Sequence, residues 1–315
     1  MAFSQDIVTR IINVNWGGGV YVTGSQWFFT NKTSDVWTNQ NGKWKKTIST
    51  PHGGAFMPSA FPGSGVFANV GVDEKPIFVL GGLADTLETG PPFAARIMTS
   101  KNGTAWTMQT IGSYGEVYLM TWNETDKTLY AGMLDYSQVA SDNTLFDVVL
   151  RSSDGLNWSE SERTRFEELY KSPIEKHCSD RVQDIHNHKV PTSVFGYDKD
   201  KDVLITPDPV NMTWGITYPA GEPTQHGDQL KITRGPGNDA PGSTIKALPD
   251  GMNRVWAVAY AAGIWQAAGQ TSAFPEHGVV ATSVDDGETW TITLTGVAGS
   301  AFTNVAAGSL ETTEP

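Results

Sequence analysis

The chain has 315 residues, a length that suits one large domain or two ordinary ones, and 18% of them are charged against a usual share of about 25%. A formal net charge of −12 argues against nucleic acid as a partner, because phosphate contacts need lysine and arginine, and no apolar run is long enough to cross a bilayer. A single cysteine, Cys178, excludes an internal disulfide framework and any multi-cysteine zinc site.

The opening stretch Met1–Asp6 has neither the basic start nor the apolar core of a secretory signal, which predicts a chain made in the cytosol. Short apolar runs then come in pairs along the chain. The first members are Ile12–Trp16, Val66–Val70, Val117–Trp122, Val194–Tyr197 and Val255–Tyr260. Their partners are Val20–Gly24, Ile77–Gly81, Leu129–Gly132, Val203–Thr206 and Ile264–Gly269. Polar or glycine-rich turns link them, so each pair reads as two antiparallel strands.

Downstream of the pairs, a second pattern recurs. Ser100-Lys-Asn-Gly-Thr-Ala-Trp106, Ser152-Ser-Asp-Gly-Leu-Asn-Trp158 and Ser283-Val-Asp-Asp-Gly-Glu-Thr-Trp290 end alike, and Asn39-Gln-Asn-Gly-Lys-Trp44 is a shorter version. Asp or Asn beside Gly supplies the side-chain acceptor and the positive φ that tight turns need. The tryptophan then covers neighbouring strands with a large apolar face.

Each unit therefore holds about four strands. Repetition at this scale predicts an all-β, single-domain β-propeller of four-stranded antiparallel blades, five in number. The blades fall at about 6–50, 64–111, 115–163, 191–235 and 252–296, with a charged insertion at 159–190. A last fragment at 300–306 echoes Val66–Val70 and is expected to close the ring against the first blade, removing an open sheet edge.

The turns resemble Asp-box, or BNR, repeats of the form S-x-D-x-G-x-x-W. Ser283 to Trp290 matches in full, the copies ending at Trp106 and Trp158 lack one residue before the glycine, and the unit around Lys231–Gly235 has no recognisable box. The resemblance implies a propeller with the boxes on the outer rim, away from the ligand face. It does not imply one activity, since such boxes occur in sialidases, other glycosidases, lectin-like binders and assembly proteins.

The insertion is where the period breaks. Ser161–Tyr170 predicts a helix, capped by Ser161 with Glu162 in its first turn. Beyond Pro173, Cys178, His186 and His188 lie close in sequence and offer ligands that suit zinc, although their spacing matches no established motif. A solvated or partner-contacting loop is the simpler reading, and no cofactor other than that zinc is expected.

For a sialidase the chain would need three arginines on a carboxylate. Its eight are Arg10, Arg96, Arg151, Arg163, Arg165, Arg181, Arg234 and Arg254, and no triad emerges. Arg96 reads instead as a repeat position in the register of Arg151. A general glycosidase needs only two carboxylates about 5 to 9.5 Å apart, for which Asp73, Asp85, Glu116 and Asp135 are the candidates. There is neither a G-x-S-x-G elbow nor a phosphate-cradling loop.

A non-catalytic recognition or assembly module is the leading expectation, more binder than enzyme. Gly-, Trp- and Thr-rich repeats without cysteines resemble virion-associated phage proteins, which implies virion or other assembly proteins, or surface glycans, as partners. Oligomeric state stays open. Most tryptophans read as core. Trp27, Trp37 and Trp214, with Tyr170 in the insertion, are the candidate ligand or partner contacts. The alternative is a glycoside hydrolase or lyase using carboxylates at the mouth of the central channel.

Overall fold

The computed structural model describes residues 19–27, 33–40, 42–51, 56–59, 64–71, 73–85, 93–138, 144–166, 195–208, 229–235, 243–272 and 275–310. These form strands arranged as a β-propeller. The strands are β1 (Gly19–Trp27), β2 (Thr33–Gln40), β3 (Lys43–Pro51), the two-residue β4 (Met57–Pro58), β5 (Gly65–Val70), β6 (Lys75–Asp85), β7 (Phe93–Ser100) and β8 (Thr107–Gly112). They continue as β9 (Gly115–Asn123), β10 (Thr128–Asp135), β11 (Phe146–Ser152), β12 (Ser159–Arg165), β13 (Gly196–Asp198), β14 (Val203–Asp208), β15 (Gln229–Arg234) and β16 (Thr244–Ala247). The last are β17 (Arg254–Ala261), β18 (Ile264–Gln270), β19 (His277–Ser283), β20 (Thr291–Ala298) and β21 (Ser300–Ser309).

Five antiparallel sheets result, with orders β21-β1-β2-β3, β5-β6-β7-β8, β9-β10-β11-β12, β13-β14-β15-β16 and β17-β18-β19-β20; β4 adds to β6 beside β5. The inner position of the first blade belongs to β21, which pairs with β1 from Gly19↔Ser309 to Trp27↔Ser300. Both chain halves thus meet in one sheet. The strand expected at Ile12–Trp16 lies outside the described residues.

Burial explains the order of strands within a blade. Every residue of inner strand β9 is buried, as is nearly all of β10. The outer β12, Ser-Glu-Ser-Glu-Arg-Thr-Arg, is largely exposed. This corrects the helix expected over Ser161–Tyr170. Its described part is the outer strand of the third blade, where both faces lack apolar residues and pairing to β11 supplies the order. A strand with neither face buried carries no period-2 signal. Arg96 and Arg151 also do not share a register. Arg96 lies opposite Gly82 and Thr110 in mid-strand, whereas Arg151 immediately precedes Ser152 at the turn.

The Ser–Asx–Gly–Trp turns lie between the third and fourth strands of their blades and share one hydrogen-bond plan. In the third blade Asp154 Oδ1 accepts from the Leu156 and Asn157 amides at 2.8 and 2.7 Å, and Trp158 Nε1 donates to the Gly155 carbonyl at 3.1 Å. Asn102 and Trp106 repeat this in the second blade, and Asp285 and Trp290 in the fifth. At the shorter first-blade copy, Trp44 Nε1 instead reaches Thr293 Oγ1 of the fifth blade at 3.2 Å.

The turns also fasten each blade to the one before it. Gly155 (φ 73°) packs on Ile77 of the second blade, and Gly287 (φ 82°) on Ile205 and Ile232 of the fourth. The Gly103 carbonyl accepts from Thr38 of the first blade. Lys201 adds an ion pair to Asp286 at 2.8 Å, and Arg234 one to Glu288 at 2.6 Å.

This plan has a pH signature. Burial pushes the Asp154 carboxyl up, but the Asn157 amide and side chain, the Leu156 amide and the Ser152 hydroxyl outweigh it and hold the pKa down to about 2. A folded pKa below the unfolded value of about 3.9 contributes stability above that value and loses it as pH falls through about 2. The carboxyl is only partly buried, so solvent screening reduces the contribution to about 1 kcal/mol. Thermal unfolding of wild type and Asp154→Asn should differ by that much at pH 6, and the gap should close by pH 2. A gap independent of pH would refute the assignment.

Candidate functional site

Five inner strands surround the ring axis, and the two ends of the axis differ in chemistry. At the end where the inner strands begin, polar side chains gather. Glu116, second residue of β9, accepts from Ser59 Oγ at 2.5 Å. The Ser59 carbonyl accepts from Thr303 Oγ1 at 2.9 Å, and Asn304 Nδ2 donates to Ser64 Oγ at 2.9 Å. All of these residues are buried. A hydrogen-bonded chain therefore crosses from the first blade through the second to the third.

Backbone irregularity lies at this same end. In three blades the inner strand holds one residue more than its neighbour: Thr303 opposite the Gly24/Ser25 step, Tyr118 opposite Gly132/Met133, and Trp256 between Val255 and Ala257. Such bulges re-aim a side chain and raise local twist, and they concentrate near active sites. Each extra side chain ends in a hydrogen bond. Tyr118 donates to Asp147, 3.1 Å from each carboxylate oxygen, and Trp256 Nε1 donates to Gln270 Oε1 at 3.2 Å. The bulges require room alongside them. A Cβ at Gly132 would stand 2.9 to 3.1 Å from the Tyr118 ring and hydroxyl.

Glu116 and Asp147 come together through register. Both lie opposite Leu134 of β10, one from β9 and one from β11. One wide and one narrow antiparallel pairing set their Cα atoms about 10 Å apart. The two residues are 8% and 2% exposed, and only Asp35 and Asp198, at 1% each, are buried acidic side chains elsewhere among the described residues. Asp135, at the same end, is held by Arg163 at 2.7 Å and by the Ser137 amide at 2.8 Å. Burial pushes its carboxyl up, but Arg163 and Ser137 prevail and leave it below the usual range.

Beyond this end a cavity of about 260 Å³ runs along the axis from Gly65 and Val305, which follow Ser64 and Asn304, to Trp122 and Glu124, and all five inner strands border it. Phe67, Trp122, Phe195, Tyr197 and Tyr260 line it beside small residues of β5, β17 and β21, and Glu124 brings a carboxylate. That carboxylate accepts from Trp122 Nε1 at 2.5 Å and from Lys127 Nζ at 2.5 Å. Burial pushes Glu124 up, yet Lys127 and Trp122 leave it below its ordinary value. A larger groove of about 630 Å³ lies between the turns of the second and third blades, beside Asn102 and Asp154. The polar groups of those two residues are already engaged in the turns.

The expected site residues are scattered. Of the four candidate carboxylates, Glu116 and Asp135 lie at the polar end. Asp73 lies in an exposed turn, paired to Lys75 at 2.8 Å. Asp85 ends β6, and its side chain is not among those described. Trp37 is half-buried on β2, with Lys46 Nζ 5.1 Å from its ring centre and its Nε1 without an acceptor among the described residues. Trp27 ends β1, with its side chain outside the described set. Trp214, Tyr170, Cys178, His186 and His188 lie outside the described residues. Asp147 and Tyr118 escaped the sequence reading. The one available signal was the glycine within the second strand of the first, third and fifth blades (Gly24, Gly132 and Gly269), since it stands beside each bulge.

No protein-family model matches this chain, and no curated protein matches it. Solved structures do. The GH93 α-L-arabinofuranosidase of Fusarium graminearum, in complex with arabinobiose, is similar over 90% of this chain and 79% of its own, at 10% identity and a TM-score of 0.34. The exo-β-1,3-galactanase of Phanerochaete chrysosporium matches over 75% of this chain and 53% of its own, at 11% identity and 0.32. A β-xylosidase/α-arabinofuranosidase from a compost metagenome matches over 76% and 81%, at 9% identity and 0.32. These matches correct the expectation of a non-catalytic phage recognition or assembly module, since the proteins named are glycoside hydrolases and none is a virion component. Likeness at this level does not transfer a substrate, so the functional argument rests on this chain's own residues.

Proposed function

We propose that this chain hydrolyses a glycosidic bond, with Glu116 and Asp147 as its carboxyl pair at the polar mouth of the central channel. The carrying observation is the row Glu116–Leu134–Asp147, which holds two almost fully buried acidic side chains at one end of one blade. Each is held by a hydroxyl, Glu116 by Ser59 and Asp147 by Tyr118, and hydrolysis of a glycoside is chemistry that uses two positioned carboxyl groups.

In the inverting arrangement two carboxyl groups stand about 6.5 to 9.5 Å apart and leave room for a water, and we assign Glu116 and Asp147 to it. In this scheme Glu116 protonates the leaving oxygen. Asp147, accepting the Tyr118 hydroxyl, takes a proton from the attacking water. The bulge at Tyr118 fixes that acceptor.

The test is a hydrolysis panel of aryl pentosides, aryl hexosides and plant and microbial polysaccharides, with product anomers followed by proton NMR. Release of sugar with inverted configuration supports the reading. Absence of release from every substrate removes it.

A further inference from the structure

Neither Glu116 nor Asp147 lines the axial cavity. Glu116 and Glu124 are separated by the length of β9, about 26 Å at the rise of an extended strand. We infer that this cavity is a second, separate binding site for a single neutral sugar ring. It holds whether or not the chain cleaves glycosides.

Three observations carry the inference. The lining combines five aromatic side chains with few polar groups, the usual composition of a small-molecule pocket, and is contributed by all five blades. Its volume, about 260 Å³, is below the range for drug-sized ligands and suits one ring rather than an oligosaccharide. Its one lining carboxylate is also paired. Glu124 is 64% exposed at the mouth but is paired to Lys127, which is in turn 3.5 Å from Glu74.

An aromatic cage around an uncompensated carboxylate would select an organic cation. Here the ammonium of Lys127 already occupies that role. What remains is a fixed hydrogen-bond acceptor beside aromatic side chains, which suits hydroxyl groups on one edge of a sugar and its C–H face on the other. Tyr197 donates its hydroxyl to Asp202 at 2.9 Å, and Tyr260 is engaged with Asp198. Both rings are thereby held in place as walls.

The full chain should be titrated with D-glucose, D-galactose, D-xylose, L-arabinose and choline, read by calorimetry and by Trp122 fluorescence. At least one aldose should saturate. Glu124→Ala, at an exposed position, should weaken that binding by about tenfold or more, and Ala307→Trp, which fills the cavity, should abolish it. Glu116→Gln should remove hydrolysis while leaving this affinity in place, which separates the two proposals. Saturation by choline but by no aldose would overturn the inference. So would an absence of any saturation, or an aldose affinity that Glu124→Ala leaves unchanged.

Discussion

Replacing Gly269 by alanine should destabilise the protein by about 3 kcal/mol or more, at the upper end of what overpacking costs. The added methyl would stand 1.9 Å from the Arg254 carbonyl oxygen and 2.4 Å from Met252 Cε. The first of these is backbone, and the inner strand β17 is pinned to β18 on both sides of the Trp256 bulge. Relief would require moving an inner strand, which means moving the wall of the channel. Gly263→Ala is the informative contrast. It sits at φ 80° with nothing within 4 Å of an added Cβ, so it should lose about 1 kcal/mol through backbone strain alone. Chemical denaturation of both variants would check the difference, and equal losses would refute the steric account.

The second large effect concerns activity. With the best substrate of the panel, Glu116→Gln should lower kcat by a hundred- to ten-thousand-fold, the usual contribution of a positioned acid or base. KM should change little, because the group acts mainly in the transition state. Asp147→Asn should fall in the same range. Tyr118→Phe should cost less, about tenfold, and should shift the basic requirement in the pH profile, because it acts only through Asp147. If Glu116→Gln retains full activity at an unchanged melting temperature, the pair is misassigned.

The box turns and the carboxyl pair differ in how readable they are from sequence. The turns could be found directly, because Ser152, Asp154, Gly155 and Trp158 are neighbours in sequence and each does its work locally. The inner strands were legible for a similar reason. Val117–Trp122 and Val255–Tyr260 are apolar and bounded by turns. The outer strand Ser159–Arg165 was not, since its order comes from hydrogen bonds to β11 rather than from any buried face of its own.

The carboxyl pair was hidden for a deeper reason. Glu116 and Asp147 are related only through Leu134, and that relation depends on a register set by the bulge at Tyr118. A one-residue slip would turn the pair apart. Glu116 could be suspected from its place at a strand start. Asp147, at the start of a third strand, had nothing in its surroundings to distinguish it from the other acidic residues.

The pairing of β21 with β1 also has a meaning for biosynthesis. At about 5 to 20 residues per second, roughly 15 to 60 s pass between the ribosome adding β1 and adding its inner partner. Through that interval β1 offers one open edge to other chains, and the last four blades must form without a completed ring. A stalled or truncated nascent chain of this protein should accumulate as an aggregation-prone species rather than as a smaller propeller.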